Sequence, residues 1–131
     1  MSEMARVLIV EDEPGLREGL EGAVERLGAT PLGAPGLAEA RRLLSQEPID
    51  CILLDIRLKD GDGLDLLAEL RKGAQRDVPV IVATAYGDSE RTIRAMRDGA
   101  FDYVTKPFDL PALLVTVQRA LEQRRLSKAE P

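Results

Sequence analysis

Histidine is missing from this chain altogether, and cysteine occurs once in 131 residues. The first absence removes the commonest general base and the commonest transition-metal ligand. The second excludes an internal disulfide and any multi-cysteine metal site. Positive charge is also scarce, with 18 Lys and Arg against 23 Asp and Glu and a net charge of -5. That balance argues against a nucleic-acid binder, because phosphate backbones demand a clustered positive surface. No apolar stretch approaches the roughly 20 residues of a membrane span. Met1-Ser2-Glu3-Met4-Ala5-Arg6 carries no signal-peptide pattern, so a cytoplasmic location is the expectation. Any metal site must be built from oxygen, and in practice from carboxylates.

What is present is one domain's worth of chain, long enough to bury roughly two-thirds of its surface. Its centre is Cys51-Ile52-Leu53-Leu54-Asp55, a short apolar run that ends in an acid. Such a run, bounded by turn residues, reads as a strand buried on both faces of a parallel sheet. The residue ending it emerges at the sheet's C-terminal edge, where open α/β folds place their ligands.

Taken in order, Val7-Leu8-Ile9-Val10 is a first buried strand, and it too ends in acid, Glu11-Asp12-Glu13. Pro14 suits the first turn of a helix. Leu16, Leu20, Ala23, Val24 and Leu27 follow at helical spacing, and Gly28 closes that helix. Ala29 to Ala34 reads as an edge strand, interrupted by Pro31 and Gly33. Leu37, Ala40, Leu43 and Leu44 mark a second helix that Pro48 stops. After the Asp55 strand, Asp60-Gly61-Asp62-Gly63 reads as a turn, with Asp62 the cap of a third helix carrying Leu64, Leu67 and Ala68 to Gly73. Val78 to Ala83 is the fourth strand with Thr84 at its end. A fourth helix, capped by Asp88 or Ser89, runs through Ile93 and Met96 to Gly99. Phe101 to Thr105 is the fifth strand, followed by Lys106-Pro107. The last helix starts near Asp109 and carries Leu110, Leu113, Leu114, Val117 and Leu121. The domain is expected over residues 1–125, with 126–131 a polar tail or the start of a linker, fraying from Arg124. Alternating strands and helices with short connections imply a parallel sheet covered on both faces.

In that fold the strand ends lie side by side. They bring together Glu11, Asp12, Asp55, Thr84 and Lys106. Carboxylates so placed need protonation or a cation. Mg²⁺, hard and oxygen-liganded, is the natural candidate. With a hydroxyl from Thr84 and a point charge from Lys106, the set suits an incoming phosphoryl group that a carboxylate attacks in line. Aspartyl phosphate is the expected product.

These residues carry a resemblance. Val10-Glu11-Asp12-Glu13, Leu53-Leu54-Asp55, Ala83-Thr84-Ala85-Tyr86 and Asp98 to Phe108 resemble, in order, the signatures of the receiver domains of bacterial two-component response regulators. The match runs from residue 5 to about 125. The resemblance implies a doubly wound five-stranded sheet of order 2-1-3-4-5 with five helices. It implies that Asp55 is the phosphoacceptor for a sensor histidine kinase, and that Mg²⁺ is bound by Asp12, Asp55 and the backbone carbonyl of Arg57, with Glu11 acting largely through water. It further implies that Thr84 and Lys106 assist the transfer, that Thr84 and Tyr103 form a switch pair, and that the Lys106–Pro107 bond is cis. The phosphorylated form would re-form the surface of helix four, strand five and helix five. Such a protein is a signalling switch that catalyses its own phosphotransfer and autodephosphorylation. Arg57 and Tyr86 stand where the family tunes phosphoryl lifetime. Glu11 departs from the commonest pattern, which has aspartate there.

The last helix, with Ala112 and Val115 off its core stripe and Glu122-Gln123-Arg124-Arg125 beyond, is similar to that of receivers in enhancer-binding transcription activators. That likeness implies a homodimer through helix four, strand five and helix five, and a downstream effector domain or protein, with no DNA-contacting element here. A second reading stays open: a phosphorylation-independent interaction module of the same fold. A small hydrolase with an aspartyl nucleophile would need a substrate pocket or cap that the chain does not supply. Singly, Asp55 could be a helix or turn cap, Thr84 a strand-end hydroxyl and Lys106 a solvated charge. Glu13 suits the N-terminus of the first helix, and Cys51 reads as a small buried apolar residue.

Overall fold

The computed structural model describes residues 4–129; Met1–Glu3 and Glu130–Pro131, the outermost parts of the terminal stretches considered above, lie outside them. Five parallel strands form the sheet: β1 (Arg6–Val10), β2 (Thr30–Ala34), β3 (Cys51–Asp55), β4 (Val80–Ala85) and β5 (Asp102–Lys106). Their order is β2-β1-β3-β4-β5. The helices between and after them are α1 (Pro14–Arg26), α2 (Leu37–Gln46), α3 (Gly63–Lys72), α4 (Ser89–Arg97) and α5 (Leu110–Ala129). Arg57–Leu58 and Gly61–Asp62 pair as a small antiparallel ladder in the β3–α3 loop.

The period-two alternation of the strands divides the core in two. Leu8, Val10, Ile52, Leu54, Val80 and Val82 pack with α2 and α3. Val7, Ile9, Cys51, Leu53 and Ile81 point the other way, onto Leu20 and Val24 of α1 and Leu113, Val117 and Ala120 of α5. All five residues of β3 are buried, as a central strand covered on both faces must be. β2, with its Pro31, pairs only with β1 and is an edge.

Several helix ends are set locally. Glu13 accepts from the Gly15 and Leu16 amides at the start of α1, and Asp62 from the Leu64 amide at the start of α3. Gly28 and Gly99 follow α1 and α4 with φ of 84° and 98°, a region where a side chain is strained.

Elsewhere the structure departs from the sequence reading. The fourth strand starts at Val80, not Val78, and includes Thr84. Asp88 stands at the N-cap of α4 but its side chain caps nothing, being committed to arginines instead. The fourth helix runs through Ile93 and Met96 as expected; both are exposed, and Ala95 is its buried residue. On α3 the buried leucines are 64, 66, 67 and 70, with Ala68 only half-buried. α5 runs past Arg124. It stays helical to Ala129, and both Arg124 and Lys128 reach Asp50, at 3.8 and 3.2 Å. Among the described residues no helix is long and apolar enough to cross a membrane.

Gly63 ties the fold to the sheet's C-terminal edge. A Cβ there would collide with the Asp55 carbonyl oxygen and the Ile56 Cα, both backbone atoms that cannot swing aside. Gly63→Ala is therefore expected to cost about 1–3 kcal/mol through overpacking. Urea unfolding checks this, and an unchanged midpoint would show that the loop gives way freely.

Candidate functional site

β1, β3, β4 and β5 deliver one or two polar residues each to the same edge. Glu11 follows β1 directly; its backbone N–H donates to the Ala34 carbonyl at 3.0 Å, so the ladder carries it into the body of the protein. Asp55 is the last residue of β3, and both acids are buried. Thr84 lies in β4 opposite Thr105 of β5, and the next pair in register is Ala85 with Lys106. Asp12, half-buried, follows Glu11.

The Lys106 ammonium joins the acids. Its Nζ donates to Glu11 Oε1 at 2.8 Å and to Asp55 Oδ2 at 2.6 Å. Backbone amides complete the frame. The Glu13 N–H donates to Glu11 Oε2, the Arg57 N–H to Asp55 Oδ1, and the Lys59 N–H to Asp12 Oδ2, at 3.1, 3.1 and 2.9 Å. Carboxylate oxygens of Glu11, Asp12 and Asp55 all lie within 4.8 Å of one another.

One ammonium thus faces three carboxylates, and negative charge is in excess. Burial pushes the Glu11 carboxyl above its ordinary value; the Lys106 and Glu13 hydrogen bonds only partly offset this, and the Asp55 charge adds to it. For Lys106 burial alone would lower the value, but the hydrogen bonds to Asp55 and Glu11 outweigh it and raise the net. The lysine is held charged. The donor set is all oxygen, negatively charged and close-spaced, which fits a hard divalent cation.

Thr84 Oγ1 donates to the Val104 carbonyl at 3.4 Å, a long bond that leaves the hydroxyl easily redirected. Thr84 and Tyr103 line one cleft of about 370 Å³ with Tyr86 and Asp88. Tyr103 is about half exposed, at 46%. The Lys106–Pro107 bond is cis. Cys51 is buried away from this edge, and burial pushes its thiol up to about 12, which suits a packing role.

Two features of the rim were not readable in the sequence. Asp60 caps α2 from more than twenty residues downstream, accepting from the Leu37 and Ala38 amides at 2.9 and 3.2 Å. Arg57 and Asp88 form an ion pair between the β3–α3 and β4–α4 loops, at 3.2 Å. Neither has a local sequence signal, because each pairs segments that only the fold brings together.

Residues 7–118 match the family described as the response regulator receiver domain. The chain belongs to that family. It is 44% identical over 119 residues to the response regulator protein PilR of Pseudomonas aeruginosa, covering 91% of this chain and 26% of PilR. It is 41% identical over 128 residues to the regulatory protein AtoC of Escherichia coli, covering 98% of this chain and 28% of AtoC. A crystallised response regulator receiver protein from Pseudomonas putida superimposes with a TM-score of 0.85 at 31% identity, covering 91% of this chain and 99% of that one. The chain thus spans about a quarter of the length of these two curated relatives. It is a receiver domain of the kind used in two-component signalling, with transcriptional regulatory proteins among its relatives.

The charge arrangement makes a prediction about stability. Raised folded values mean that the Lys106 contribution is complete below its ordinary 10.5 and is lost as pH rises through the raised value; that of Glu11 is complete below 4.5 and falls as pH rises. Lys106→Met leaves the buried acids without a cation. It is expected to cost about 1–3 kcal/mol at pH 7, a cost that shrinks as the pH is lowered, because the raised Glu11 carboxyl can take up a proton in place of the lost cation. Urea melts of both proteins over a falling pH series measure it, and a pH-independent gap would count against the charge explanation.

Proposed function

We propose that Asp55 is the phosphoacceptor of this receiver, taking its phosphoryl group from the phosphohistidine of a sensor histidine kinase. The single observation that carries the reading is the Lys106 bridge between Asp55 and Glu11, because it aims an ammonium at the carboxylate that would react. An Asp55 oxygen attacks phosphorus, the phosphorus–nitrogen bond to the imidazole breaks, and the electron pair leaves with the ring. Lys106 neutralises phosphoryl oxygens, and the Thr84 hydroxyl turns from the Val104 carbonyl to donate to one of them. Hydrolysis of the acyl phosphate by water returns the resting state, so the protein catalyses both the transfer and its own dephosphorylation.

Glu11, Asp12, Asp55 and the backbone carbonyl of Arg57 are the groups that would hold Mg²⁺. Bound there, the ion supplies positive charge to the phosphoryl oxygens and relieves the crowding of the acids. As Thr84 moves, the cleft it shares with Tyr103 gives the ring room to turn inward, which alters the surface of α4, β5 and α5. We assign that surface, with exposed Ile93, Met96, Tyr103 and Val115, to a homodimer contact or to a downstream effector domain or protein. The setting we propose is cytoplasmic, without direct contact to nucleic acid.

Incubation with Mg²⁺ and a small-molecule phosphodonor should add one phosphoryl mass to the intact protein, and none to Asp55→Asn. A gain that survives the substitution would move the acceptor elsewhere. No gain, with no binding of a fluoride mimic of the phosphoryl group, would favour a phosphorylation-independent module. Mg²⁺ alone should raise Tm, and Asp12→Ala should abolish that rise. Light scattering with and without the mimic should show a dimer gained on its addition; a monomer in both states would remove dimerisation as the output.

A further inference from the structure

α4 is weakly anchored. It buries one residue, Ala95, and the side chain at its N-cap makes no capping bond. Four charges in alternating order connect its first turn to the β3–α3 loop. Arg57 reaches Asp88 at 3.2 Å, Asp88 reaches Arg91 at 3.6 Å, and Arg91 reaches Asp62 at 2.6 Å. Asp62 is fixed in turn, because the same oxygen caps α3. Arg57 is the exposed end of this chain, with 68% of its side chain open to solvent, whereas Asp88 is largely covered. Arg57 also stands beside the acceptor, since its own amide donates to Asp55 Oδ1 at 3.1 Å.

We infer that Arg57 changes partner when Asp55 is phosphorylated, leaving the Asp88 carboxylate for the phosphoryl oxygens and so loosening the first turn of α4. The inference rests on Asp55 being the acceptor. Its physical basis is a competition at one guanidinium. Asp88 offers a single negative charge, while a phosphoryl group brings about -1.5 to -2 and accepts a guanidinium in a bidentate fork. The exposed pair is a weak one to break. Once Arg57 leaves, Asp88 keeps Arg91 alone, and the loop containing Gly87, at φ 88°, loses its tie to the β3–α3 side. Asp88 is the positioning residue in this scheme: it transmits the state of Asp55 through Arg57, whose guanidinium would touch the phosphoryl group itself.

Amide hydrogen exchange over residues 86–97 tests it, with intact mass read on the same samples held in Mg²⁺ and phosphodonor. Unphosphorylated Arg57→Gln and Asp88→Asn should each exchange there about two- to fivefold faster than wild type, the range an exposed ion pair can hold. Phosphorylated wild type should show the same acceleration, and phosphorylated Asp88→Asn no further gain. The proposal is overturned if wild type carries the added mass while this segment exchanges as before. It is equally overturned if Asp88→Asn accelerates on phosphorylation as much as wild type does. Failure of wild type both to gain mass and to bind the fluoride mimic would instead remove the acceptor assignment on which the partner exchange depends.

Discussion

A lysine at the end of an edge strand holds two buried acids from two other strands, and the rest of the domain is arranged so that it can. Carboxylates surrounded by apolar strands are costly unless paired. Lys106 meets both Glu11 and Asp55, which lie 95 and 51 residues away along the chain. That meeting requires β1, β3 and β5 to end at one level. The continuous register from β1 through β3 and β4 to β5 provides it.

The pairing is incomplete by construction. Two acids share one ammonium, a third stands beside them, and loop amides rather than further cations satisfy the remaining oxygens. A fully neutralised cluster would be a structural ion pair. This one leaves negative charge in excess beside a single ammonium. The fold stabilises the excess without cancelling it, and the apolar strands beneath are what make the excess affordable.

Much of this was legible in the residues. The strands are short apolar runs that end in polar residues, so both their existence and what they deliver could be read from Val7–Asp12, Cys51–Asp55 and Phe101–Lys106. Glu13 and Asp62 are caps with local partners, and they too were readable. What escaped is non-local. The helix through Ile93 and Met96 was readable, but that Ala95 is its one buried residue was not. Asp88 looked like a cap until the arginines of two other segments claimed it. The end of α5 looked polar enough to fray, yet Asp50 holds it from the start of β3.

That last contact has a spatial consequence. Asp50 also receives the Arg6 amide, so the start of β1, the approach to β3 and the final turns of α5 converge at one pole. The acids occupy the other pole, a strand length of roughly 16 Å away. α5 spans the distance between them: it starts just after the Lys106–Pro107 step at the acidic edge and ends at the Asp50 pole.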